Sequence, residues 1–366
     1  MKILIDARFT RTDHHDGISR YGARLIEALA HRPDAEVTML VHDRRQLALL
    51  PDVPHVMINS PLSPAELFVS WRFNRLEPDA VFCPMQTMGS LGRKYGLVLT
   101  LHDLIYYEHP APPGFLPAPV RLLWRLYHKA FWPQRVLLNR ADTVATISRT
   151  TEALIAKYRL TRRPVRIISN APQPEQEPRD AAVGAEPSII YMGSFMPYKN
   201  VETMVAGMAG LPEYTLHLLS RITPQRRAEL ELLVPPGAKV VFHNGVTDAE
   251  YHAYLRTATA LVSLSRAEGY GLPLVEAMAL GTPVIASDIP IFREVGGDAA
   301  AYVDPESPEE FVQAVKKLQD AEHWREVSRR SVARAGHFSW DESARQLVDV
   351  AHDIVARRRG RPGTSA

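Results

Sequence analysis

The chain has 366 residues, 46% of them hydrophobic and 23% charged, a balance that excludes an intrinsically disordered protein. Its 43 basic and 41 acidic residues leave a formal charge of +2, so no global field argues for a nucleic-acid partner. A single cysteine, Cys83, excludes an internal disulfide, and the chain has no run of 18 apolar residues that could cross a membrane. A cytoplasmic protein is expected, with any membrane contact peripheral.

At this length two domains of about 150–200 residues are expected. The N-terminus runs directly into Lys2-Ile-Leu-Ile-Asp6, too short for a signal-peptide core and patterned as a buried strand. Further strands are predicted at 37–41, 80–82, 97–101, 143–147 and 165–168, alternating with helical patterns. The second half repeats the style at 188–192, 216–219, 240–242, 260–264, 284–287 and 301–303. Strands alternating with helices imply βαβ units and parallel sheets. Between the halves, Ala171–Pro187 carries four prolines, several charges and almost no bulky apolar side chain, as an exposed linker does. The fold class is therefore α/β, with two Rossmann-like domains facing a central cleft. The first domain covers 1–172, completed by a C-terminal helix at 339–359 that Ser339 caps; the second covers 185–335, and 360–366 is a disordered tail.

Along this framework, Asp16-Gly-Ile-Ser-Arg-Tyr-Gly22 follows the first strand and opens an amphipathic helix. Gly17 there serves either a tight turn or the close approach of a phosphate or sugar. The pattern is not Gly-x-Gly-x-x-Gly, so a nicotinamide or flavin dinucleotide is not supported. His14 and His15 lie in a polar loop without metal-ligand spacing. His102 ends the strand 97–101, where a side chain either faces a ligand or bonds loop backbone. Residues 119–138 combine Arg121, Arg125, Lys129 and Arg135 with leucines, Trp124, Tyr127, Phe131 and Trp132, interrupted by Pro133. Such a helix either rests on an anionic bilayer or packs inward with solvated cations.

Tyr191-Met-Gly-Ser-Phe-Met-Pro-Tyr-Lys-Asn200 ends a strand and leads into a helix, which lets Lys199 reach a diphosphate as a point charge. The strongest signal is Glu268-Gly-Tyr-Gly-Leu-Pro-Leu-Val-Glu276. Two carboxylates flank a Gly-x-Gly turn, and Pro273 stands where a helix begins, so the N–H groups of a helix N-terminus attract phosphate. The rise from Gly271 to Glu276 is roughly 7 Å, room for one acid to meet a sugar and the other a ribose. Asp-x-Asp, the usual carboxylate pair for a metal-bound nucleotide-sugar, is missing from the chain. No metal and no cofactor are expected.

Together these residues resemble family-4 retaining glycosyltransferases of the GT-B fold, in particular their bacterial mannosyltransferase-like branch. The resemblance runs from Gly17–Tyr21 through His102-Asp-Leu104 and Thr146-Ile-Ser148 to Phe338-Ser-Trp340, and its most specific part is 268–304. It implies an N-terminal acceptor-binding domain and a C-terminal nucleotide-sugar-binding domain. Glu276 would hold the donor ribose and Glu268 the hydroxyls of the transferred sugar. Gly269, Tyr270, Gly271 and Leu272 would contact sugar and phosphate, and Lys199 the leaving diphosphate. Gly17 and His102 would come from the first domain, His102 near the reacting sugar. Ser194 and Tyr198 stand where some relatives carry arginine, with Arg221 or Arg266 placed to compensate. The implied reaction is hexosyl transfer from a nucleoside diphosphate sugar, GDP-mannose first, to a glycan or lipid-linked acceptor. UDP-glucose, UDP-N-acetylglucosamine and a deoxyhexose donor stay open, as do a sugar phosphorylase and a binding protein without turnover.

Overall fold

The computed structural model describes residues 1–109, 118–173 and 177–360. The expected tail, apart from Gly360, and linker positions 174–176 lie outside the described residues. The chain divides into two compact units, Met1–Asn170 together with the chain from Ser339 onward, and Ala171–Phe338.

The first unit holds β1 (Lys2–Asp6), β2 (Glu36–Val41), β3 (His55–Met57), β4 (Ala80–Cys83), β5 (Gly96–Leu101), β6 (Thr143–Thr146) and β7 (Val165–Ile167). They form one parallel sheet in the order β3-β2-β1-β4-β5-β6-β7. Ile3, Leu4, Ile5, Val81, Phe82, Leu97 and Val98 are fully buried. These strands read as continuous apolar runs because helices cover both faces. Phe73, Leu138 and Ile155, from the helices Val69–Asn74, Trp132–Leu138 and Arg149–Lys157, share one core with Leu4, Leu97 and Leu99. On the opposite face the helices Gly17–Ala30 and Trp340–Arg359 pack together. The last helix sits so close to β5 that a Cβ at Gly96 would lie 2.5 Å from Ile354 Cγ2.

The second unit holds β8 (Glu186–Tyr191), β9 (Thr215–Leu218), β10 (Lys239–Phe242), β11 (Ala258–Ser263), β12 (Val284–Ser287) and β13 (Ala300–Val303). Their order is β10-β9-β8-β11-β12-β13, again all parallel. In each sheet the chain reverses its direction of travel once, between β1 and β4 and between β8 and β11. Loops leaving the carboxyl ends of such a pair diverge to opposite faces, and the gap between them is where this architecture binds ligands.

The structure differs from the sequence expectations at four places. Edge strand β3 was not anticipated, because His55-Val-Met57 is short and largely exposed and carries no apolar signature. The basic, aromatic stretch 119–138 forms two helices, Ala118–Tyr127 and Trp132–Leu138. Pro133 opens the second helix instead of breaking the first, since its missing N–H costs nothing in a first turn. Lys199 lies not in the helix but on a short 3-10 turn before it, and the helix proper is Val201–Gly207. The linker is only partly exposed. Arg179 stacks on Trp324 at 4.6 Å and donates to Ala258 O at 2.8 Å, which fastens its second half to the second unit.

The close fit of Ile354 over Gly96 gives a direct test. Ile354→Ala should lower the unfolding free energy by about 2–5 kcal/mol, as for other large-to-small core changes, measured by urea denaturation. A loss within about 0.5 kcal/mol, as for a surface site, would mean the last helix contributes little to this unit.

Candidate active site

The second unit brings Lys199 and Glu268 together at its switch point. Adjacent strands β8 and β11 send their following loops side by side, and the Lys199 ammonium meets Glu268 Oε1 at 2.5 Å. Both side chains are mostly shielded, 13% and 15% exposed. Ser265, fully buried, also donates to Glu268 Oε1 at 3.2 Å. One carboxylate oxygen therefore takes both bonds, and among the described residues Oε2 has no donor. The ammonium has three donors, and Glu268 uses one. Its other neighbour is the ring of Tyr198, 5.4 Å from Nζ. The pair can thus receive an anion at the lysine and a hydroxyl at the carboxylate.

Several contacts fix the loop that carries Lys199. Asn200 adopts the left-handed conformation, φ 54° and ψ 44°, which asparagine tolerates better than most residues. Its buried side chain donates to Pro305 O at 2.6 Å and accepts from Thr203 Oγ1 at 2.9 Å. Arg266 forks onto Glu306 at 2.5 and 2.9 Å and donates to Pro197 O at 3.0 Å. Its backbone N–H reaches Tyr198 O at 2.7 Å. Arg266 is therefore a clamp on the Lys199 turn and not the substitute phosphate contact anticipated from sequence. Arg221 is exposed and makes no ion pair among the described residues. Asn200 and Ser265 were not singled out from sequence. The only available signal was an asparagine directly before a helix start.

The turn after Glu268 is built as anticipated. Gly271 caps the helix Leu272–Ala279 with φ 95°, and Pro273 occupies its first turn. Leu274 and Val275 both donate to Gly271 O. No backbone carbonyl among the described residues accepts from the N–H groups of Gly269, Gly271 or Leu272. Tyr270 is buried edge-on to Phe338 at 6.3 Å, so its ring faces that contact. Glu276 is buried, 7% exposed, about one turn into the helix. A carboxylate kept at such a site serves a partner rather than solvent.

Gly17 and His102 belong to the first unit. Gly17 opens the helix Gly17–Ala30 after Asp16, whose carboxylate accepts from Ser19 N at 2.9 Å. Its backbone is not left-handed, and a Cβ built there meets nothing within 4 Å. Neither the turn nor the packing requires glycine at this position. His102 Nε2 is 2.7 Å from Pro84 O. A carbonyl can only accept, so Nε2 carries the proton and Nδ1 is left as an acceptor. Tyr21 lies edge-on to the imidazole at 5.3 Å, and Thr151 Oγ1 donates to His102 O at 3.1 Å. Burial pushes the His102 pKa below its ordinary 6.5, against the opposing pull of the Pro84 carbonyl and Asp103. The imidazole is neutral at pH 7. Of the histidines in the polar loop, His14 pairs with Asp13 at 3.0 Å and His15 bonds Ser19 Oγ at 3.1 Å.

Two predictions follow from this geometry. Gly271→Ala would put a Cβ 2.9 Å from Phe292 Cε1 at a positive φ, and should cost about 1–3 kcal/mol of stability by denaturant unfolding; Gly17→Ala should change stability by less than about 0.5 kcal/mol. For His102, the unfolded chain binds its proton first as pH falls, so this residue's contribution is lost on acidification through about 6.5. The fall in melting temperature from pH 7.5 to 5.5 should shrink in His102→Gln. An unchanged fall would contradict the neutral assignment.

A family model for glycosyl transferases group 1 matches residues 172–335, and a model for glycosyltransferase family 4 matches residues 15–176. An O-antigen chain mannosyltransferase of Salmonella typhimurium is 29% identical over 243 residues, covering 60% of this chain and 60% of that protein. An MMP alpha-(1->4)-mannosyltransferase of Mycolicibacterium hassiacum is 31% identical over 172 residues, covering 44% and 42%. The chain thus matches only between 42% and 60% of these relatives' own length. Among solved structures, a sucrose-phosphate synthase from Thermosynechococcus elongatus superposes with TM-score 0.73 at 22% identity, covering 97% of this chain and 99% of that one. The Anabaena protein Alr3699/HepE in complex with UDP-glucose gives TM-score 0.71 at 16% identity, covering 96% and 100%. The fold is GT-B, and the chain belongs to the family-4 glycosyltransferases.

Proposed function

We propose that this protein transfers a hexosyl group from a nucleoside diphosphate sugar to a hydroxyl of a glycan or lipid-linked glycan. The observation that carries the reading is the Lys199–Glu268 pair beside the Gly271 helix N-terminus, with a spare donor on one partner and a spare acceptor on the other. The diphosphate would take the remaining Lys199 protons and the N–H groups of Gly269, Gly271 and Leu272. The freed Glu268 carboxylate would hold sugar hydroxyls, and Glu276 the ribose.

Charge builds on the diphosphate as the glycosidic bond breaks, and fixed donors aimed at that charge lower the barrier. In this proposal Lys199 and the helix N-terminus supply that stabilisation. Neither a metal nor a cofactor is given a part. Substitution on one face would retain the configuration at the anomeric carbon, with the departing phosphate taking the acceptor's proton. Gly17 and neutral His102 are assigned to the same reaction, His102 through its bare Nδ1. GDP-mannose is the first donor to test, because mannosyltransferases recur among the relatives; the UDP-glucose complex of Alr3699/HepE supports UDP-glucose as the second. We place the reaction in polysaccharide or glycoconjugate synthesis in the cytoplasm. Among the described residues no helix is long and apolar enough to cross a membrane, and contact through residues 119–138 would be peripheral.

Transfer and hydrolysis assays over a set of nucleotide-sugars test the reading. Lys199→Ala should lower kcat roughly 100- to 1,000-fold, the usual loss for one charge-stabilising donor, and Glu268→Ala should lower it at least as far. A protein that only binds nucleotide-sugar would show altered affinity and no turnover to lose. Product that depends on inorganic phosphate instead of nucleotide-sugar would favour a phosphorylase.

A further inference from the structure

We propose that the first unit contains a binding site for an apolar chain ending in an anionic group, and that its occupant is the lipid tail of the acceptor. The word acceptor rests on the transfer reading above, whereas the site rests on a cavity. This cavity, about 750 Å³, extends from His102 toward the helices Ala118–Tyr127 and Trp132–Leu138. Its walls include Leu104, Tyr107, Leu123, Trp124, Trp132 and Leu137. The volume is that of a small-molecule site.

Three observations select an amphipathic chain. First, the outer rim is apolar and, among the described residues, uncovered: Leu123 and Trp132 are each 65% exposed and Leu126 is 54% exposed. Clustered exposure of that kind marks a site that is covered in use. Second, Arg121, Arg125 and Lys129 recur at four-residue intervals beside this rim, all exposed, and none has an ion-pair partner among the described residues. They complement a phosphate, and a neutral tail would leave them idle. Third, the cavity adjoins a polar recess of about 420 Å³ that includes Arg11, Thr12, Asp16 and His42, the two sharing Ile18 and Met85. Within the cavity wall, Gln134, 1% exposed, has an Nε2 without an acceptor among the described residues, as does Trp124 Nε1. A flat bilayer contact would need neither a concave wall nor a polar recess at its inner end.

The test uses the full chain and farnesyl phosphate at concentrations where it is monomeric, followed by tryptophan fluorescence. Inorganic phosphate, farnesol and phosphatidylglycerol vesicles form the other arms. Saturable farnesyl phosphate binding is expected, about tenfold weaker for farnesol and undetectable for phosphate, each tenfold step being about 1.4 kcal/mol. Leu123→Asp should weaken it at least about tenfold with an unchanged melting temperature, because the side chain is mostly exposed. Vesicle binding without monomer binding would overturn the cavity in favour of a bilayer contact. Full affinity in Leu123→Asp would overturn it as well. Nucleoside diphosphate binding is measured in parallel; its absence beside intact lipid binding would overturn the acceptor assignment and leave the apolar-chain site standing.

Discussion

The ion pair between Lys199 and Glu268 is the interaction on which the second unit's chemistry depends. It closes the gap that a parallel sheet opens where its chain order reverses. A mostly shielded pair is weak evidence for stability, because desolvation offsets much of the attraction. Among the described residues this one is also incompletely bonded, with two ammonium protons and one carboxylate oxygen unspent. Those features suit a site that holds its own charges in register until a ligand divides them. Ser265 beneath the carboxylate and the Arg266–Glu306 clamp around the lysine turn keep both partners aimed.

In the first unit the corresponding economy is at His102. The Pro84 carbonyl sets its tautomer, the Tyr21 edge sets its plane, and burial keeps it neutral. Tyr21 is held in turn by Ile168 O at 3.1 Å and lies 5.9 Å from Trp340. The last helix thereby supports a ring that touches the candidate site. Below them Arg8 is buried between Asp6 and Glu66, with Asn59 O accepting from the same guanidinium. All its donors are engaged, so it braces the loop after β1 and is not available to a ligand.

Most of the fold was legible because buried parallel strands announce themselves as apolar β-branched runs, and twelve of the thirteen described strands did so. The exception, His55–Met57, is an edge strand whose pairing comes from backbone alone. The turn from Glu268 to Glu276 was equally legible, since glycine at φ 95° and proline in a first turn are requirements of backbone geometry. What sequence could not supply was partner choice. Arg266 was as plausible a phosphate ligand as Arg221 until Glu306, forty residues on, was found to hold it. Gly17 was ambiguous for a different reason. A glycine can be demanded by its own backbone or by a neighbour, and the coordinates show neither demand at Gly17.

The central claim is that Lys199 meets the diphosphate while Glu268 meets the sugar. Calorimetric titration of GDP and GDP-mannose into the parent chain, Lys199→Ala and Glu268→Gln tests it most directly. The account predicts that Lys199→Ala weakens both ligands, whereas Glu268→Gln weakens the nucleotide-sugar and leaves the free nucleotide unchanged or tighter. Equal losses for both ligands in Glu268→Gln, or no loss of either in Lys199→Ala, would contradict it.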